Sequence, residues 1–409
     1  MRQQGVNIDF GLKFAKYIHE LNVTAYTTRL QATDFATIPD RLMSGVSLSL
    51  AQSKYFKVGL DGFYVYDLKG TTPDTSSYAN TVQTVNLAFA KRIKNVRLEV
   101  KGEAGKSDIY TTKDWNASHL NDYFIHAYAK IGLVNQHISL TGGYLEVGPD
   151  FRSIGAQSKN IDYLATPNFY NRYGNARTLR PLSTLDLIRN ENIYRANVST
   201  NFAAINPIYN NVLPFGIATF NRVGFFGKLN YSLPKGIAID LEHYRLSEIR
   251  GQGTFQLKQF TQSRAMAEFS LHQLFAIKPV IKIQIGGNYQ TTRRSSSFEG
   301  EAVDLTSWQA HAGFEAEVLP NIDLLGGAIL NQTKGNDFIA ERNIYSTVDN
   351  FSNQTYDLQQ QLLAGGLRYR FSQKVYLSAL YQTSSYNDRL RTLPNYNINQ
   401  FSLIYNMLF

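Results

Sequence analysis

The chain has 409 residues and no cysteine, which excludes disulfides, zinc–thiolate sites, iron–sulfur clusters and cysteine nucleophiles. No uninterrupted apolar stretch of about 18 residues occurs, so hydropathy excludes a helical membrane protein. A Gly-rich phosphate loop, a His-Glu-x-x-His helix and a Gly-x-Ser-x-Gly elbow are also missing, and the seven His residues are widely spaced. We therefore expect no bound metal or other cofactor and no enzyme activity.

Charge is sparse and scattered along the chain. Only 18% of residues are charged, and the formal net charge is +9. Lys and Arg do not form clusters of the kind that bind nucleic acid. We expect no nucleic-acid partner.

Aromatic residues and period-2 alternation dominate what is present. The chain has 26 Tyr and 25 Phe, far above ordinary usage. Apolar and polar residues alternate from Gly5 onward, and the pattern returns about every 12 to 16 residues. In the first segment, one face carries Val6, Ile8, Phe10, Leu12 and Phe14. This alternation predicts an all-β protein built of many antiparallel strands.

Strand length and connection length favour a membrane barrel over a soluble sandwich. The alternating segments are near the 9–11 residues that a tilted strand needs to cross a bilayer, whereas soluble strands average about 5–6 residues. Short connections such as 94–95 and 320–321 alternate with long ones, as periplasmic turns alternate with extracellular loops. The predicted long loops are 68–80, 107–119, 148–221, 249–260, 291–303, 332–355 and 387–395.

The last segment carries a resemblance to a known group of proteins. Phe401, Leu403, Tyr405 and Phe409 share one face, and the chain ends on the aromatic residue. This arrangement resembles the assembly signal of Gram-negative outer-membrane β-barrels, which implies that these residues engage the barrel-insertion machinery. The richness in Asn, Gln and Tyr is similar to that of Bacteroidota outer-membrane proteins. The resemblance implies a porin-like transmembrane barrel in the bacterial outer membrane, in contact with its lipid and with lipopolysaccharide.

Counting backward from Phe409 gives about 17 strands, although bacterial single-chain barrels have even numbers. We expect one up-and-down antiparallel barrel over residues 1–409 with about 18 strands and its first strand missing upstream; about 16 strands is the alternative.

If the apolar faces meet lipid, the charged faces line the interior. Burying an ion is costly even after relaxation, so this lining must be hydrated or paired. The candidate interior residues on strands are Arg97, Lys101, Arg368 and Arg370.

The segment 148–221 is the longest interruption of the pattern, and a loop of this size is usually functional. Its basic residues include Arg172, Arg177, Arg180 and Arg189. In a constriction or plug, inside or over the barrel, they would attract anions. On an external loop they would contact lipopolysaccharide or a partner, or would be merely solvated.

Two functional hypotheses follow from these patterns. The leading one is a channel for passive diffusion of small hydrophilic solutes, with anions as one class. The alternative is a structural or scaffold subunit of a larger envelope complex for secretion or surface assembly. The solute, the oligomeric state and the role of 148–221 stay open at this point.

Overall fold

The computed structural model describes residues 5–31, 40–68, 76–113, 116–133, 137–153, 211–296, 298–342, 348–372, 375–390 and 395–407. In this part of the chain the fold is all-β, as predicted, with one sheet of 17 strands. No helix among these residues is long and apolar enough to cross a membrane.

The strands follow one another in chain order. They are β1 (Gly5–Lys13), β2 (Glu20–Gln31), β3 (Arg41–Ala51), β4 (Phe56–Asp67), β5 (Ser76–Ile93), β6 (Val96–Lys113), β7 (Asn116–Leu133), β8 (Ile138–Val147), β9 (Arg222–Leu233), β10 (Ile237–Ser247), β11 (Gln259–Ser270), β12 (Ile281–Arg294), β13 (Val303–Leu319), β14 (Ile322–Arg342), β15 (Val348–Arg370), β16 (Val375–Asp388) and β17 (Tyr396–Met407). A single α-helical turn, α1 (Leu271–Leu274), follows β11, and short 3-10 turns occupy Gly216–Ala218 and Glu299–Glu301.

Each strand pairs antiparallel with the next, from β1–β2 to β16–β17. The described strands number 17, one fewer than the expected 18. Because consecutive strands reverse direction, β1 and β17 run the same way. Joining them therefore requires either a parallel pair or one further antiparallel strand. The expected upstream strand lies outside the described residues.

Connections are short at one end of the strands and mostly longer at the other. The short end includes 94–95, 234–236 and 320–321, and the other end includes 148–221, 248–258 and 295–302. Two predicted long loops are wrong. Residues 107–119 lie mostly in β6 and β7, and 332–355 lie mostly in β14 and β15, which run on as long hairpins. Polar residues on both faces of these hairpins look like loop residues in the sequence, but the ladder of backbone hydrogen bonds continues through them.

The register gives the sheet two chemically distinct faces, since directly opposed residues on paired strands share a face. One row on the outer face is apolar across five strands: Leu98, Ile131, Leu140, Leu229 and Leu241. The outer face is also exposed, and Phe225, Phe401 and Leu403 have 69%, 69% and 65% of their surface accessible.

The inner face carries a buried hydrophobic cluster. Phe63 of β4, Val82 of β5, Leu145 of β8 and Phe260 of β11 belong to this cluster. Phe226 of β9 and Tyr244 of β10 belong to it as well, so the cluster extends along the inner face from strand to strand.

Candidate functional site

A continuous polar row crosses the inner face from β6 to β15. Each member directly opposes the next on the neighbouring strand, so the row follows the hydrogen-bonding direction of the sheet. We name it the polar belt; its residues are Glu99, Lys130, Thr141, Lys228, Glu242, Arg264, Asn288, Gln309, Asn331 and Gln360.

The half of the belt on β6 to β11 carries charges of both signs. Lys228 Nζ lies 2.8 Å from Glu242 Oε1. Glu99 is approached by Lys101 Nζ at 2.8 Å and by an Arg97 guanidinium nitrogen at 3.6 Å. The side chains of Arg97 and Lys101 keep 62% and 49% of their surface exposed. Both predicted interior residues therefore lie on the inner face and reach solvent.

The half of the belt on β12 to β15 carries amides instead of charges. Asn288, Gln309, Asn331 and Gln360 form this amide row. Exposure falls along it: Asn288 is partly exposed, Gln309 is 8% exposed, Asn331 is 1% exposed and Gln360 is fully buried. Both amide atoms of Asn331 and of Gln360 are buried without a hydrogen-bond partner among the described residues.

The predicted residues Arg368 and Arg370 lie on the inner face of β15, in a cluster of opposite charges. Arg368 Nε donates to Asp323 Oδ2 at 2.7 Å, and Arg368 also pairs with Glu315. Arg370 pairs with Glu317 and, at 3.1 Å, with Asp323. Because two guanidinium groups face three carboxylates, this cluster has no positive surplus for attracting anions. Its geometry is that of cross-strand pairing within the wall.

The first end of the segment 148–221 turns onto the inner face directly after β8. The Arg152 backbone N–H donates to Ser107 Oγ on β6 at 2.8 Å, and Asn80 Nδ2 on β5 donates to the Arg152 carbonyl at 3.1 Å. A Cβ at Gly148 would lie 2.0 Å from the Asp122 carboxylate, so a larger residue there would have to displace the Asp122 side chain. Residues 148–153 are thus anchored across β5 to β8.

The second end, residues 211–221, also lies on the inner face. The Val212 N–H donates to Gln290 Oε1 on β12 at 3.2 Å. Arg222 Nε donates to the Val212 carbonyl at 3.0 Å, and the Arg222 guanidinium lies 3.5 Å from the Phe260 ring centroid. Both Val212 and Ser153 are buried, at 0% and 4% exposure. Both described ends of the segment, 148–153 and 211–221, therefore lie on the inner face.

A loop contact joins this first end to the connection after β10. The Arg250 guanidinium donates to Asp150 Oδ1 at 2.6 Å. This hydrogen bond and the negative charge of Asp150 raise the pKa of Arg250 above its ordinary value.

Several predicted site residues lie outside the described residues: Arg172, Arg177, Arg180, Arg189 and Phe409. Their predicted roles stay predictions. The other members of the predicted assembly signal, Phe401, Leu403 and Tyr405, share the outer face of β17 and are exposed.

Sequence reasoning missed the amide row. Asn and Gln are abundant throughout the chain, and the signal was their recurrence at inner-face positions of adjacent strands. That recurrence becomes visible only once the register is known, because a shift of one residue moves a side chain to the other face.

The described part of the chain holds no cluster of three or more His, Asp or Glu side chains arranged for a metal ion. His126, on the inner face of β7, packs against the rings of Phe226 and Tyr128 at centroid distances of 5.5 and 5.6 Å.

No protein-family model matches the chain, and no curated protein matches it significantly.

Proposed function

We propose that this protein is a transmembrane β-barrel of a bacterial outer membrane that lets small hydrophilic solutes diffuse through its interior. One observation carries the proposal: a polar row and an apolar row lie on opposite faces of the same strands. On β6 to β10, the polar belt runs along the inner face, and the apolar row from Leu98 to Leu241 runs along the outer face.

The two faces of the sheet favour different solvents. Outer-face side chains as exposed as Phe225, at 69%, would form a large apolar surface in water, whereas lipid is their natural solvent. In lipid a strand must have its backbone groups paired, so a spanning sheet must close on itself. The inner-face charges favour water or ion pairing. A closed barrel of about 16–18 strands is wide enough to hold water.

The proposed location and partners rest on the resemblance of the last strand to outer-membrane assembly signals. In this proposal the barrel contacts outer-membrane lipid and lipopolysaccharide, the insertion machinery binds β17, and the source belongs to the Bacteroidota. The segment 148–221 narrows the path, since both of its anchored ends lie on the inner face.

Single-channel recording in planar bilayers tests the channel, and the lack of cysteine makes the test specific. Lys101→Cys would place a lone thiol on the inner face, and Val100→Cys, its neighbour, would place one on the outer face, where Val100 is 43% exposed. Adding sulfonatoethyl methanethiosulfonate should reduce the KCl current through Lys101→Cys alone. Insertion without any current would contradict an open channel, and equal reaction of both thiols would contradict the assignment of faces.

A scaffold subunit is the second candidate, and one observation favours it. Inner-face residues on β13 and β15 are closed off from solvent: Leu305 is 0% exposed, Leu362 is 1% exposed and Gln360 is 0% exposed. A wall that faced an open lumen at this level would leave them accessible. Stoichiometric envelope partners in a mild-detergent purification, together with absent KCl current, would support the scaffold over the channel.

A further inference from the structure

The inner faces of β4 to β7 carry a surplus of positive charge near the short connections. The three inner-face rows closest to these connections hold five cations and one carboxylate, Glu99. We name this surface the basic patch, and its cations are Lys57, Arg92, Arg97, Lys101 and Lys130. Glu103 lies in the next row along β6. Five cations against one carboxylate leave the patch with a formal surplus of four positive charges.

The basic patch is open to solvent. Lys57, Arg92, Arg97 and Lys101 are exposed, and Lys130 is half-buried. Glu99 is already engaged by Lys101 and Arg97. Among the described residues, Lys57, Arg92 and Lys130 form no ion pair, so their charges are available to a solute.

Two arginines of the patch directly oppose each other. Arg92 of β5 lies opposite Arg97 of β6, and directly opposed like charges destabilise a sheet. Arg92 Nε donates to the Lys94 carbonyl at 3.1 Å, which holds this guanidinium at the end of the hairpin. An anion between the two guanidinium groups would remove the repulsion, and paired guanidinium N–H groups match the oxygens of a phosphate.

We propose that the basic patch binds solutes that carry more than one phosphate group as they enter or leave the interior. This inference rests on the proposed channel and names its solute class. Inner-face rows are about 6.7 Å apart along a strand and neighbouring strands are about 4.8 Å apart, so the patch extends roughly 14 Å in each direction. One phosphate cannot reach every cation over that distance. A second phosphate on the same solute can contact the lysines while the first contacts Arg92 and Arg97.

Other classes of solute fit the patch less well. A neutral sugar gains nothing from the charges, and a cation is repelled by them. A solute with a single negative charge leaves most of the surplus unpaired. The basic patch differs in this respect from Arg368 and Arg370, which face carboxylates of the wall itself.

The test compares fructose, fructose 6-phosphate and fructose 1,6-bisphosphate, which share one sugar and differ in the number of phosphates. Isothermal titration calorimetry measures the binding of each to the detergent-solubilised full chain at low salt. Inorganic phosphate, tested in the same way, separates recognition of free phosphate from recognition of a phosphorylated solute. The double variant Arg92→Gln with Arg97→Gln removes the opposed pair. The control Lys282→Gln removes an exposed inner-face cation of β12 outside the patch.

The bisphosphate should bind wild type and the control with equal affinity, the monophosphate should bind more weakly, and fructose should not bind. The double variant should bind the bisphosphate about tenfold more weakly than wild type, because charge-assisted hydrogen bonds are lost. Bisphosphate affinity that is unchanged in the double variant, or lost equally in the control, would overturn the inference. Inorganic phosphate that binds as tightly as the bisphosphate would overturn the assignment to solutes with more than one phosphate.

A merely structural role of the two arginines is separable through stability. Because the opposed pair repels, bisphosphate should raise the unfolding temperature of wild type more than that of the double variant. A double variant with a lower unfolding temperature and unchanged bisphosphate affinity would show that the arginines hold the sheet and do not bind solute. If the double variant does not fold, Lys57→Gln with Lys130→Gln replaces it, with the same expected loss of affinity.

Failure of the channel is distinguishable because the titration needs no current. Absent KCl current with intact bisphosphate binding rejects the proposed diffusion and keeps the patch as a binding site. KCl current without bisphosphate binding to wild type rejects the patch and keeps the channel.

Discussion

The backbone N–H of Asn221 donates a hydrogen bond to the carbonyl of Gly148 over 3.2 Å, which closes the two ends of the long segment onto each other. Asn221 also has a positive φ of 57° and no exposed surface. Its side-chain oxygen accepts from the N–H groups of Ile249 and Arg250 at 3.0 and 2.9 Å, and its amide nitrogen donates to the Arg250 carbonyl at 2.8 Å. One residue thus joins the segment to the connection after β10.

Asn221→Ala should destabilise this junction by roughly 2–4 kcal/mol, since three side-chain hydrogen bonds are lost and alanine tolerates the left-handed conformation less well than asparagine. The readouts are the thermal unfolding midpoint and the rate of proteolysis within 154–210. Asn221→Gly is the control, because it relieves the backbone and still lacks the side chain. Proteolysis as slow in both variants as in wild type would show that the junction does not hold the segment.

Charge on the outer face should be costly if that face meets lipid. Leu140→Arg, at a side chain 59% exposed on the outer face of β8, should destabilise the protein by about 2–4 kcal/mol in lipid if it lies near the midplane. Ser139→Arg puts the same charge on the inner face one residue away and should cost much less. Comparable unfolding midpoints for the two variants in lipid vesicles would count against membrane contact at Leu140.

Arg368→Met should be strongly destabilising, by about 3–5 kcal/mol, because it leaves the buried Asp323 carboxylate and the partly buried Glu315 carboxylate without their main partner. Denaturant unfolding at neutral pH measures the loss. The control is Arg368→Met combined with Glu315→Leu and Asp323→Leu, which should recover much of the lost stability. A triple variant as unstable as Arg368→Met would contradict this account.

Assembly should depend on the outer aromatic face of β17. Tyr405→Ala together with Phe409→Ala should lower the amount of protein recovered in the outer membrane, as the resemblance to an assembly signal implies. Ser402→Ala replaces a buried residue on the inner face of the same strand and serves as the control. Unchanged membrane yield for the aromatic double variant would argue against the assembly signal.

The basic residues of 148–221 should affect the ion selectivity of the channel. Replacing Arg172, Arg177 and Arg180 with Gln should shift the reversal potential toward cations if the segment lies in the conducting path. The shift should diminish toward 1 M salt, because the distance over which exposed charges interact falls from about 8–10 Å at physiological ionic strength to about 3 Å at 1 M. A permeability ratio equal to that of wild type at low salt would remove these residues from the path while leaving the fold assignment intact.

The sequence alone determined the fold class and the two faces of the strands. Alternation has a period of two, so Phe10, Phe225 and Leu403 could be separated from Arg97 and Arg368 before any strand was paired with another. The same local signal failed at 107–119 and 332–355, where both faces are polar and only backbone pairing distinguishes a hairpin from a loop.

The tertiary structure decided which contacts the inner-face residues make. The neutralisation of Arg368 by Glu315 and Asp323 depends on which positions of β13, β14 and β15 oppose one another. The amide row depends in the same way on the register of β12 to β15. The anchoring of 148–153 and 211–221 depends on inner-face residues of β5 and β12, which are far from these segments in the sequence. These contacts join residues far apart in the chain, and no periodicity along a single strand specifies them.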